Sequence, residues 1–339
     1  MKEAISKNES LALRGLCISL IVLHNFIHVV VPYAENEKIF DPVFADYFIH
    51  NILYHPILGS FSYLGWLGVP MFFFLSGYGL SRKYGSLVPN KLSFIIWHYL
   101  KLLLLAGPFI IVSNVLVKTP ALHIAGQLTL LNNLFEDNSI RPASFWFIRA
   151  AFEFYILYAI ILHRIHPKLL LGIAFAITCS FYLFDGQIVG LFKTHHLGWI
   201  LEFSLGVYIA KYHDCLKYLE KWYSSVILLL LVLFSSVNGQ TWIFSTAFAV
   251  LFFISIKRYI TFKLIIYIGS ISAFLYASHT AVRNVWDHID ASIDYMNDNL
   301  LLIFGSICGY FLLSIIVSII YGKFYKKALS LIQNKFKKS

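Results

Sequence analysis

Apolar residues fill this chain in long blocks, interrupted at short intervals by small groups of charge, proline and glycine. A window of about 19 residues picks out ten of these blocks as helices long enough to cross a bilayer. They lie near 10–31, 61–81, 92–117, 144–163, 168–185, 196–213, 222–238, 240–257, 263–283 and 299–322. The seventh and eighth are separated only by Asn238-Gly239-Gln240, a tight connection between antiparallel helices. No repeat divides the sequence, and no linker is rich enough in Pro, Gly or Ser to mark a domain boundary. The expectation is an all-α, polytopic transmembrane helical bundle of about ten spans. Residues 1–339 then form a single domain, with 323–339 as a basic cytoplasmic tail.

Composition excludes the soluble alternative. Only 13% of residues are charged and 59% are hydrophobic, whereas a soluble globular chain carries roughly 25% charge. The polar amino end enters the first block with no small-residue cleavage site, so that block reads as an uncleaved span rather than a signal peptide. No soluble catalytic domain is expected after the last span.

Charge adds orientation. The net charge is +10, but the basic residues lie between spans and in the tail rather than on one soluble face, so nucleic acid is not an expected partner. Of the 27 Lys and Arg residues, twenty fall on one side of the ten-span arrangement and five on the other, with Lys101 and Arg149 inside spans. The positive-inside rule then places both termini in the cytoplasm. The lysine-rich tail suits a lipid surface. Two loops on the opposite side are long: 32–60 carries Glu35, Glu37, Asp41, Asp46, His50 and His55, and 118–143 carries His123, Glu136, Asp137 and Arg141. They either connect spans or cap a cavity, and the pattern leaves both open. Cys17, Cys179, Cys215 and Cys308 are widely spaced, without zinc-ligand or CxxC spacing, so neither disulfides nor a metal centre is expected.

The chemistry lies in polar groups placed where lipid should be. An ionisable group in a bilayer costs about 2.5–3.5 kcal/mol on insertion scales, so it faces protein or a wet cavity. The first span carries Arg14, His24, Asn25 and His28. Ten residues separate Arg14 from His24, about 15 Å along a helix, and His28 follows one turn later. A cation near the cytoplasmic mouth with imidazoles deeper in suits an anionic ligand below and proton chemistry above, since imidazole serves as a general base near neutral pH. Further buried candidates are Arg149 and Glu153, one turn apart in the fourth span, Glu202 in the sixth, and His279 and Arg283 in the ninth. Their number argues for one shared polar cavity.

Several segments together resemble the acyltransferase-3 family of integral membrane acyltransferases. These are Arg14-Gly-Leu leading to His24, Pro70-Met-Phe-Phe-Phe-Leu-Ser-Gly-Tyr-Gly-Leu-Ser-Arg82-Lys83, Phe145-Trp-Phe-Ile, Glu202-Phe-Ser-Leu-Gly, and Ile268-Gly-Ser-Ile-Ser-Ala-Phe-Leu-Tyr-Ala-Ser-His279. The resemblance covers nearly the whole chain. It implies an inner (plasma) membrane enzyme that moves an acetyl group from cytoplasmic acetyl-CoA to a sugar hydroxyl of a surface or secreted glycan. Carried over residue by residue, His24 is the catalytic histidine, with His28 as the alternative because Asn25 stands where many members have a histidine. Arg14, Ser76, Arg82 and Lys83 are expected to hold the acetyl-CoA. Glu202 or Glu153 would orient the imidazole, and Trp146, Arg149 and His279 would contact the acceptor. The imidazole acts either as general base or as a nucleophile through an acyl-imidazole. A secondary transporter or glycan flippase is the rival class, though no pair of matching broken helices points to two related halves.

Overall fold

The computed structural model describes residues 4–30, 40–54, 56–116, 118–131, 145–184, 192, 195–289 and 299–336. These residues are helical with short connections, and no strand occurs among them. The long helices are α1 (Lys7–Val30), α2 (Pro42–Asn51), α3 (Pro56–Leu64), α4 (Val69–Tyr84), α5 (Lys91–Leu116), α6 (Ala121–Leu128) and α7 (Trp146–Ile160). They are followed by α8 (Pro167–Ser180), α9 (Ile200–Lys211), α10 (Trp222–Ser236), α11 (Ser245–Ile256), α12 (Lys263–Ser270), α13 (Ser272–Ile289) and α14 (Leu300–Phe336).

Helix occupies each of the ten predicted blocks, but four continuous segments are long and apolar enough to cross a membrane, or up to six when each bent pair counts as one span. Three departures have local causes. The second block tightens into a 3₁₀ turn at Gly65–Gly68 between α3 and α4, though Pro56–Tyr84 stays one continuous segment. The ninth is interrupted at Ile271, between α12 and α13 and just after the Gly269-Ser270 pair. The tenth runs on to Phe336, because nothing in its lysine-rich end breaks a helix. Of the two long loops, α2 and α6 account for the helical parts, whereas Glu35, Glu37, His55, Glu136, Asp137 and Arg141 lie outside the described residues.

The chain forms two compact units, Met1–Lys91 with Ile156–Ser270, and Leu92–Tyr155 with Ile271–Ser339. In the first, α1 begins with a capping box. The Glu9 amide donates to Ser6 Oγ at 3.3 Å, and the Ser6 amide donates to Glu9 Oε2 at 2.7 Å, satisfying two amides that the helix leaves open. Two crossings then hold the unit, α1 on α12 and α4 on α9. Each is built on a reciprocal pair of glycines. A Cβ on Gly15 would overlap the Ile265 carbonyl oxygen, and one on Gly269 would overlap that of Leu11. Gly77 meets the Phe203 carbonyl and Gly206 that of Phe74 in the same way. Lipid gives no hydrophobic incentive for helices to associate, so close backbone approach through small residues carries the contact.

At one end of this unit Lys257, only 1% exposed, reaches Glu220 Oε1 and lies 3.4 Å from Glu9 Oε1, while Arg258 Nη2 lies 2.6 Å from Glu220 Oε2. The network ties the start of α1 to the segment before α10 and the end of α11. Removing one partner of a buried ion pair costs about 3–5 kcal/mol, because the remaining charge stays buried. Arg258 still faces both carboxylates in Lys257→Met, and neither carboxylate is fully buried, so the expected loss of stability is about 1–2 kcal/mol, read as a fall in melting temperature in detergent. An unchanged melt would show the network to be decorative.

In the second unit α13 packs along α14. Ser306, Tyr310, Ser314, Ser318 and Gly322 recur every four residues on α14 and are buried. Trp286 Nε1 donates to Ser306 Oγ at 2.9 Å, Tyr310 Oη donates to the His279 carbonyl at 3.2 Å, and the Ser278 and Ser318 hydroxyls are 3.0 Å apart. Tyr321 donates to the Leu104 carbonyl of α5, and Asn114 and Gln127 pair through their amides between α5 and α6.

Candidate active site

His24 is 3% exposed, and its surroundings follow from the turn in the second block. Where α3 gives way to the 3₁₀ turn, carbonyls at its end become available to partners outside the helix. His24 Nδ1 lies 2.9 Å from the Ser62 oxygen and 3.3 Å from that of Phe61. A carbonyl only accepts, so Nδ1 carries the proton and donates it, and Nε2 holds the lone pair. Gly65 makes the approach possible. A Cβ there would come within 2.7 Å of His24 Cβ and 2.9 Å of the Leu20 oxygen.

His28 stacks on His24, with ring centroids 4.8 Å apart and planes inclined by 24°. Its Nδ1 lies 2.7 Å from the His24 carbonyl, so it too presents Nε2 as the basic nitrogen. Asn25 turns back instead, and its amide donates to the Ile21 carbonyl at 2.9 Å. The two predicted histidines are thus brought together, and the more deeply buried is His24.

The same unit carries Arg14, Ser76, Arg82, Lys83 and Glu202. Arg14 is exposed on α1. Arg82 and Lys83 are exposed in the last turn of α4, which stops at Gly85 with φ +58°. Two cations there complement the negative end of the helix dipole, and α1 and α4 are packed neighbours. The Ser76 hydroxyl donates to the Phe72 carbonyl of its own helix at 2.8 Å, leaving its lone pairs to accept. Glu202 is 1% exposed in the first turn of α9, just after Trp199, whose ring stacks on Phe73 at 5.1 Å.

Trp146, Arg149, Glu153 and His279 belong to the second unit. Trp146, Arg149 and Glu153 share a helical stripe on α7 at spacings of three and four, and Arg149 is 2% and Glu153 5% exposed. His279 on α13 is 1% exposed. Its Nδ1 lies 2.6 Å from the Tyr276 carbonyl, and Phe147 of α7 packs edge-on against Tyr276 at 5.0 Å. All four cysteines are free thiols, and no group of three or more potential metal ligands occurs among the described residues.

Two features escaped the sequence. Lys257 reads there as one more charge on the basic side of a span, and its burial depends on Glu9 and Glu220, which are far away in the chain. An aromatic cluster of Tyr63, Trp66 and Trp242 close to His24 was hidden among 31 Phe, 21 Tyr and 7 Trp. Its one local signal was the Gly65-Trp-Leu-Gly68 interruption.

The helices and the buried His24, Glu202, Arg149, Glu153 and His279 thus define a polytopic helical membrane protein with ionisable groups in its interior. Within that class, the sequence pattern of the acyltransferase-3 family, described as "Acyltransferase domain", matches residues 11–322. The chain belongs to the acyltransferase-3 family, and it is an acyltransferase that transfers groups other than aminoacyl groups. It is also similar to a "Probable poly-beta-1,6-N-acetyl-D-glucosamine export protein" of Staphylococcus epidermidis, at 27% identity over 90% of each chain. The protein of the same name from strain RP62A matches equally. No solved structure matches this chain.

Proposed function

We propose that this protein moves an acyl group, acetyl in the first instance, from cytoplasmic acetyl-CoA to a hydroxyl of a surface glycan, with His24 at the centre of the reaction. The observation that carries this reading is the His24 imidazole, buried, fixed through Nδ1 on the Ser62 carbonyl and basic at Nε2. The similarity to a poly-β-1,6-N-acetyl-D-glucosamine export protein suggests a hexosamine polymer as acceptor.

In this scheme Nε2 takes the proton of the sugar hydroxyl as its oxygen attacks the thioester carbon. The C–S bond then breaks, and the departing thiolate recovers the proton from the imidazolium. Glu202, in the same unit, would steady the imidazolium, and His28 would support the ring from its stacked position. Arg14, Arg82 and Lys83 would bind the phosphates of the donor, with Ser76 accepting a hydrogen bond nearby. A guanidinium offers several donors in a fixed fork to such oxygens. Trp146, Arg149 and His279 would contact the glycan. On this reading about ten spans, both termini in the cytoplasm and 323–339 as a basic tail would leave these cations on the side of the inner (plasma) membrane where acyl-CoA is made.

The test incubates membranes with [¹⁴C]acetyl-CoA and a β-1,6-linked N-acetylglucosamine hexasaccharide and follows label into the sugar. Transfer that is lost in His24→Ala supports the scheme, and transfer that survives moves the chemistry to another residue. Label retained on protein when glycan is withheld would identify the acyl-imidazole route over direct transfer. On the donor side, the double variant Arg82→Ala/Lys83→Ala is expected to raise the KM for acetyl-CoA about tenfold, one charge-assisted contact being worth about 1.5 kcal/mol, with the acceptor KM unchanged. An unaltered donor KM would remove these residues from the donor site.

Glycan export is the second reading, favoured by the similarity to the two export proteins of Staphylococcus epidermidis. Passage of the hexasaccharide across proteoliposomes without any acyl-CoA, together with no incorporation of label, would favour it.

A further inference from the structure

The end of the first unit that holds His24 contains buried polar groups for which the fold supplies no partner. Among the described residues, the indole N–H groups of Trp66 and Trp242 and the hydroxyls of Ser236 and Ser245 make no hydrogen bond. Trp66 is 2% and Trp242 3% exposed, and both serines are fully buried. An unsatisfied buried donor costs about 1–3 kcal/mol, and native proteins hold few of them.

The two indoles are neighbours, and the two serines lie on segments that adjoin them. The Trp66 and Trp242 rings are 5.3 Å apart and tilted by 35°. Tyr63 lies 6.3 Å from Trp242, and its hydroxyl donates to the Ser236 carbonyl at 2.6 Å. Ser245 opens α11 directly after the turn that carries Trp242. Phe48 of α2 stacks on Tyr63 at 4.3 Å, adding another aromatic ring beside it. The cluster adjoins the histidine, since Trp66 follows Gly65, whose backbone abuts His24, and Ser62 beside Tyr63 holds His24 Nδ1.

We propose that Trp66, Trp242, Ser236 and Ser245 form a subsite for one sugar ring of the acceptor glycan, which rests on the acyltransferase reading of His24. The chemistry of the orphan groups selects the occupant. An indole N–H donates and never accepts, so its partner presents an acceptor oxygen. A serine hydroxyl both donates and accepts, matching the hydroxyls of a pyranose. The C–H faces of a sugar suit the surrounding aromatic rings, where each N–H marks the polar edge of an apolar surface. An acetyl group brings a single carbonyl oxygen, which offers the two serine hydroxyls no donor, whereas a pyranose carries several hydroxyls that both donate and accept.

The purified protein, without any acyl donor, is titrated with the tritiated form of the same hexasaccharide. Trp66→Phe and Trp242→Phe keep an aromatic ring and delete the donor, and each is expected to weaken binding about fivefold, with the double variant weaker by about 25-fold. Ser236→Ala and Ser245→Ala give an independent pair, each expected to cost about threefold. Trp222→Phe, at a residue 73% exposed, is the control and binds as the wild type does. Unchanged binding in the folded double variant overturns the subsite and leaves buried water as the partner of the indoles, and absence of binding by the wild type overturns it as well. Donor-free titration separates this result from the fate of the enzyme reading. Indole-dependent binding without label transfer keeps the subsite and removes the role of His24. Label transfer with indole-independent binding does the reverse.

Discussion

His24→Ala is expected to lower acyl transfer by about 10³-fold, with a fall in melting temperature from the lost ring and hydrogen bond that His24→Gln largely avoids. Positioned general bases contribute about 10²–10⁴-fold. The imidazole here is held by the Ser62 carbonyl in the tautomer that leaves Nε2 basic. Alanine removes both the base and its anchor but leaves α1 packed through Gly15, Gly65 and Gly68. His24→Gln sharpens the test, because its amide N–H can still reach the Ser62 carbonyl while no basic nitrogen remains. It should be as inactive as alanine. His28→Ala deletes a stacked ring and one bond to the His24 carbonyl, and a loss of about tenfold is expected. The measurement is label transfer to the hexasaccharide at saturating acetyl-CoA, with each variant checked by thermal melting. Should His28→Ala prove the dead variant and His24→Ala stay active, the catalytic histidine is the second of the pair.

Residue type and spacing singled out the first helix, of which the structure buries His24 and leaves Arg14 exposed. An arginine and two histidines in an apolar helix have few uses, and the structure does bury His24 and stack His28 on it. The family resemblance read from five segments is also the one that the whole-chain match shows. What the sequence withheld was tertiary. Nothing near His24 in the chain announces that its partner is a main-chain carbonyl 38 residues away, because backbone acceptors have no sequence signature. The same limit hid Lys257, whose two carboxylates come from α1 and the segment before α10. Helix positions were readable from hydropathy, and the interruption at Ile271 follows the Gly269-Ser270 pair, a local weak point that the apolar count passes over.

Gly15→Val is the other substitution expected to have a large effect, this time on the fold. The crossing of α1 and α12 is made by backbone against backbone. A Cβ at Gly15 overlaps the Ile265 carbonyl oxygen and lies 3.0 Å from the Gly269 nitrogen, and a Cβ at Gly269 meets Leu11 and Gly15 in mirror fashion. Neither obstacle is a side chain that can rotate aside, so the helices have to separate, losing dispersion contacts along their length. Overpacking of this kind costs about 3 kcal/mol. In lipid no hydrophobic term draws the helices back together. The displacement also reaches the active site, because α1 carries both Arg14 and His24. Gly15→Val and Gly269→Val should each lower the melting temperature in detergent and reduce acyl transfer in the protein that remains folded. Gly79→Val supplies the comparison, since Gly79 sits on α4 with no atom within 4 Å of a Cβ, so it bears only the small helix-propensity change. Equal melting temperatures for Gly15→Val and Gly79→Val would mean that the crossing yields freely, and α1 would then owe its position to the Gly65 and Gly68 contacts on its other side.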